Sequence, residues 1–101
     1  MVFIYVTSPD MDEARTIARH LLEKKLIACA NMLPANSMYW WKEEITEDEE
    51  VVMILKTERS KFKTIKKEIE GHHSHYLPCI CLIKADSSEE YSNWVKNQLK
   101  E

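Results

Sequence analysis

Leu26-Ile27-Ala28-Cys29-Ala30-Asn31-Met32-Leu33-Pro34-Ala35-Asn36-Ser37-Met38-Tyr39-Trp40-Trp41 is the stretch on which the fold turns. An apolar run passes through Pro34, Asn36 and Ser37 into a cluster of large side chains, and this content predicts one long strand bent near Pro34. Trp40 and Trp41 are adjacent on it, so they point to opposite faces and the core of one chain has room for only one of them. A polar turn near residues 42–44 then leads to a third strand at residues 51–55.

The elements on either side complete the pattern. Residues 2–6 form a continuous apolar run suited to a strand covered on both faces. Asp10 with Glu13 three residues later opens a helix over residues 11 to about 24, and Met11, Ala14, Ile17, Ala18, Leu21 and Leu22 fall on one stripe of it. His20 lies opposite Met11 and reads as a surface residue. Beyond the third strand, Ser60 is positioned to cap a helix carrying Phe62, Ile65 and Ile69, and Gly71 stands where a left-handed residue ends it. Residues 76–83 read as a fourth strand in which Pro78 marks an edge or an irregularity. Ser87 with Glu90 opens a last helix bearing Tyr91, Trp94, Val95, Gln98 and Leu99. The order is βαββαβ plus a terminal helix, a ferredoxin-like α+β two-layer sandwich. Its strands at 2–6, 51–55 and 79–83 are almost unbroken apolar runs, so a face that the helices leave open must be covered by something else. We expect a homo-oligomer.

Length and composition narrow the function. The 101 residues, with a net charge of −3, three cysteines and one glycine, fit a single domain spanning 1–101. With Gly71 alone, neither a G-x-x-x-x-G-K-[ST] phosphate loop nor a G-x-G-x-x-G turn can be written. The balance is acidic, which argues against a nucleic-acid partner. No apolar run approaches the length of a membrane span and the N-terminus lacks a basic export signal, so the expectation is a cytoplasmic protein with no membrane partner and reduced cysteines. Six carboxylates crowd residues 43–50; of the 17 acidic residues this leaves 11 elsewhere against 14 basic ones, so the acidity resides in that segment. It reads as a solvated hairpin tip and lacks calcium-loop spacing.

Chemistry concentrates in His72-His73-Ser74-His75-Tyr76-Leu77-Pro78-Cys79-Ile80-Cys81. Imidazoles and thiols are the donors that zinc and copper prefer. Two readings stand for each group. His72 and His73 either bind metal or complement the end of the preceding helix, and Cys79 and Cys81 either ligate or pack as small hydrophobes. No order of Ser, His, Asp or Cys recommends a nucleophilic site, and the expectation is a protein that is not an enzyme.

In sequence order, Thr7-Ser8-Pro9-Asp10, residues 26–31, Ser37-Met38-Tyr39-Trp40-Trp41 with Ile45, Glu50 through Thr57, His73 with Pro78 and Ile80, and Tyr91 with Trp94 and Val95 resemble the CutA family of divalent-cation tolerance proteins. The resemblance covers nearly the whole chain. It implies a long hairpin between the second and third strands, a tight homotrimer and a cytoplasmic role in tolerance or response to divalent metals, copper among them, with no required cofactor and no enzymatic activity. The family motif H-P-Y-x-x-P-E-I stands here with Ser74, His75 and Cys79 replacing its proline, tyrosine and glutamate. The metal ligands it implies are His72, His73 and Cys79. A family glycine in the hairpin turn is Glu43 here. A second reading follows from the family's likeness to PII proteins: a trimer that senses a small ligand or binds a signalling partner. An RNA-recognition module shares the element order but lacks both the aromatic strand motif and the basic surface.

Overall fold

The structure, a computed structural model, describes residues 1–74 and 77–100. Strand β1 (Val2–Ser8) leads to helix α1 (Met11–Glu23), then β2 (Cys29–Trp41), β3 (Glu44–Thr57), α2 (Phe62–His72), β4 (Ile80–Lys84) and α3 (Glu89–Gln98). The sheet order is β2-β3-β1-β4 with every neighbouring pair antiparallel. This is the ferredoxin-like arrangement that the element order predicts. Pro34 falls on edge strand β2, where its missing N–H is tolerated, and the pairing register runs through it without a break.

Alternation on β1 and β3 builds the core. Ile4, Val6, Met53 and Leu55 point to one face and are buried against Ala14, Ile17 and Leu21 of α1 and Ile65 and Ile69 of α2. α1 begins where Asp10, in extended conformation, accepts a hydrogen bond from the Glu13 N–H at 2.8 Å. It ends in a Schellman motif: Lys25 takes φ 59°, its N–H donates to the Leu22 carbonyl, and the Leu26 N–H donates to the Leu21 carbonyl.

Several local expectations are corrected. Gly71 lies inside α2 and ends nothing; the helix runs on to His72, and His73 is extended. Ser60 does not cap α2, because residues 59–61 form a 3₁₀ turn that leads into it. At α3 the cap is Ser88, one residue later than expected, accepting from the Tyr91 N–H. The fourth strand is confined to Ile80–Lys84; Pro78 and Cys79 precede it, and Tyr76 lies outside the described residues. The acidic segment is the mostly exposed end of the hairpin, as expected, but the third strand begins well before residue 51. From Glu44 it is strand, paired to residues 35–41 of β2, and the turn is only Lys42 and Glu43, at φ 49° and 68°. Two left-handed residues in a row are what a tight two-residue hairpin needs, because that backbone matches the twist of the strands.

The second face of the sheet carries Phe3, Tyr5, Val52, Ile54, Ile83 and Leu33, placed there by alternation and register. α3 meets only its near end. Lys56 Nζ sits over the rings of both Phe3 and Tyr91, and Val95 and Leu99 are buried there, outside the main cluster. The hairpin of β2 and β3, 13 and 14 residues long, extends past both helices and stretches the molecule to 45 Å. The core takes neither tryptophan, against the expectation of one: Trp40 is 72% and Trp41 46% exposed.

Candidate functional site

α2 ends in two adjacent histidines that part company. On a helix, residues four apart share a face, so His72 stands one turn above Glu68. Both look across to α1, where His20 Nε2 lies 2.7 Å from Glu68 Oε2 and the His20 and His72 rings have centroids 4.3 Å apart. Lys24 Nζ holds the other Glu68 oxygen, Oε1, at 2.7 Å. Hydrogen bonds from Lys24 first and then His20 hold the Glu68 carboxyl down at about 2. His20 is therefore no idle surface residue. Nothing in the helical periodicity of α1 marks it; the signal that could have found it is the Glu68-x-x-x-His72 pair, which needs a third donor from a neighbouring helix.

His73 turns the other way. Its side chain is fully buried, and since a carbonyl only accepts, Nε2 donates to the Thr7 carbonyl at 2.6 Å. Nδ1 lies 3.9 Å from Glu13 Oε2. Glu13 also receives the Ser8 hydroxyl and the Ser74 N–H. This knot ties the exit of α2 to the junction of β1 and α1, and it gives His73 an anchoring role.

Cys79 and Cys81 form a third locus, with Sγ atoms 3.8 Å apart. Cys81 lies on β4 and Cys79 just precedes it. Burial, then the neighbouring Cys81 sulfur, pushes the Cys79 thiol up. Among the described residues, His72, His73 and Cys79 do not converge as a ligand set; one group of three or more donor-bearing side chains does, namely His20, Glu68 and His72, all within 4.8 Å of one another.

A separate cleft of about 300 Å³ opens where the hairpin leaves the sheet, lined by Thr7, Tyr39, Trp40, Trp41, Glu50 and Leu77. The Tyr39 hydroxyl donates to Asp48 across the hairpin, and that bond raises its pKa above the usual tyrosine value. Among the described residues no helix is long and apolar enough to cross a membrane.

Comparison with known proteins gives this geometry its context. Residues 2–98 match the family model described as CutA1 divalent ion tolerance protein. A divalent-cation tolerance protein CutA from Archaeoglobus fulgidus is 43% identical over 94 residues, 92% of each chain, and one from Thermococcus kodakarensis is 42% identical over 99 residues, 97% of this chain and 95% of that one. Among solved structures, the A. fulgidus protein, described as periplasmic, superposes with a TM-score of 0.96 at 40% identity over 99% of this chain and all of that one. A PII-like protein CutA from Nostoc sp. PCC 7120 superposes at 0.91 with 30% identity, over 99% and 98% of the two chains. On the full-length family match and the shared fold, the chain belongs to the CutA1 divalent ion tolerance family.

Proposed function

We propose that this protein acts as a homotrimer in tolerance or response to divalent metal ions, copper among them, in the cytoplasm and without catalysing a reaction. One observation carries the reading: the donor-bearing side chains that converge among the described residues are two imidazoles and a carboxylate, a ligand set for a divalent cation, in a chain of the divalent ion tolerance family. Self-association is supported by the apolar second face and by Leu33, Met38, Trp40 and Ile45, each more than half exposed on one chain. Free thiols at Cys29, Cys79 and Cys81 suit a reducing compartment.

The test has two arms. Cells lacking the protein should lose tolerance to copper and regain it with the wild-type gene; unchanged tolerance removes the metal-response reading. Sedimentation of the purified chain at micromolar concentration should give three times the monomer mass, and a monomer there removes the trimer.

The cleft favours a second reading, a PII-like sensor of a small ligand. Thr7, Tyr39 and Glu50 offer polar contacts beside two tryptophans, the mix of few polar groups and apolar walls that small-molecule sites use. A metabolite that raises the melting temperature in the presence of a chelator favours this reading over the first.

A further inference from the structure

We propose that His20 of α1 with Glu68 and His72 of α2 forms a surface-accessible site for a borderline divalent cation, zinc or copper, on the helical layer of each subunit. The inference rests on the metal-response reading above and names its ligands, which differ from the His72, His73 and Cys79 set that the sequence implies.

Three features support it. The donor set is of the right kind: two neutral imidazoles and one carboxylate oxygen hold zinc in open sites that keep a further position for water or another ligand, and imidazole equally suits copper. The donors already converge within 4.8 Å. Two elements present them: Glu68 and His72 stand four residues apart on α2, His72 in its last turn, and the packing of α1 on α2 brings His20 beside them.

The adjustment required is a rotation of side chains. A hydrogen bond of 2.7 Å joins His20 Nε2 to Glu68 Oε2. A tetrahedral ion with bonds of about 2.0–2.1 Å places two donors about 3.3 Å apart, so the pair opens by about 0.6 Å as the ion replaces the proton between them. Donors that stand as much as 4.8 Å apart close by up to about 1.5 Å, and side-chain rotation supplies both movements. Lys24 keeps Oε1 and leaves Oε2 to the ion, orienting the carboxylate as outer-sphere partners of metal ligands do. Entry is open, because His72 is exposed while His20 and Glu68 keep 28% and 22% of their side-chain surface. The cluster lies on the helices, opposite the apolar sheet face, so assembly through that face leaves it accessible.

The experiment titrates tag-free, chelator-treated protein with Zn²⁺ and with Cu²⁺ by calorimetry, for the wild type and for His20→Ala, Glu68→Gln, His72→Ala and Cys79→Ser. We expect one ion per chain, an affinity lower by about tenfold or more in each of the first three variants, and wild-type affinity in Cys79→Ser. His72 is exposed, so its variant tests the site without disturbing the core, and melting curves check the others. Paramagnetic broadening by Cu²⁺ should reach the His20 and His72 ring signals first. Wild-type affinity in both His20→Ala and His72→Ala overturns this site and leaves the metal-response reading standing. A wild-type chain that binds neither ion overturns the site together with the direct binding of copper. Lost affinity in the three variants alongside unchanged copper tolerance of cells lacking the protein keeps the site and removes the reading.

Discussion

Gly71, the sole glycine, sits where its freedom has no use. It occupies a helical position in α2 with no atom within 4 Å of an added Cβ. Three positions that do take left-handed backbone are filled by Lys25, Lys42 and Glu43. Glycine inside a helix costs about 0.5–1 kcal/mol relative to alanine, and a side chain in left-handed backbone costs about 1–2 kcal/mol. Gly71→Ala should therefore stabilise the protein by about 0.5–1 kcal/mol, read as a higher denaturant midpoint with an unchanged slope. Glu43→Gly should stabilise it by about 1 kcal/mol by relieving the hairpin turn; an unchanged or lower midpoint would show that the Glu43 side chain earns its place by a contact in the folded chain. Both substitutions move a residue type to where the backbone wants it.

At the scale of elements, pairing overrides local character. Residues 44–50 are the acidic, solvated end of the hairpin, and they still continue β3 because residues 35–41 of β2 offer an uninterrupted ladder. Strand pairing satisfies backbone groups whatever the side chains, and alternate carboxylates reach solvent on either side of a hairpin that no helix covers. The two helices are joined by charge as well as by packing. Glu68 is held at about 2, below its ordinary 4.5, by Lys24 and His20. A lowered carboxyl pKa contributes stability that is fully present above the ordinary value and is lost as pH falls from there through about 2. In chelator, the denaturant midpoint should thus fall between pH 5 and pH 2.5 by more in the wild type than in Glu68→Gln; equal falls would show that the Lys24 and His20 contacts do not hold in solution.

For the whole molecule, the question is what covers the second face. A 101-residue chain with Trp40, Leu33 and Met38 all more than half exposed, and an apolar sheet face that α3 meets only at one end, leaves apolar surface that water disfavours. Placing a charge on that face, as in Ile54→Lys, should convert the proposed trimer into monomers at micromolar concentration, seen as a threefold drop in sedimenting mass with little change in far-UV circular dichroism. A trimer that persists in Ile54→Lys would move the interface elsewhere on the molecule.

Element order and apolar periodicity determined the fold class, the start of α1 at Asp10 and that of α3 to within a residue. These are properties of neighbours in sequence, and local sterics and the alternation of side chains express them directly. The family resemblance extended that reading to the long hairpin. Tertiary structure alone brought the donors of the proposed site together. His72 and His73 are adjacent in sequence, but successive residues at a helix end leave in different directions, so one joins Glu68 and His20 on the outside while the other is buried against Thr7. His20 lies 48 residues from Glu68, and only the packing of α1 on α2 brings them to 2.7 Å. A donor cluster drawn from two helices is invisible until the helices meet.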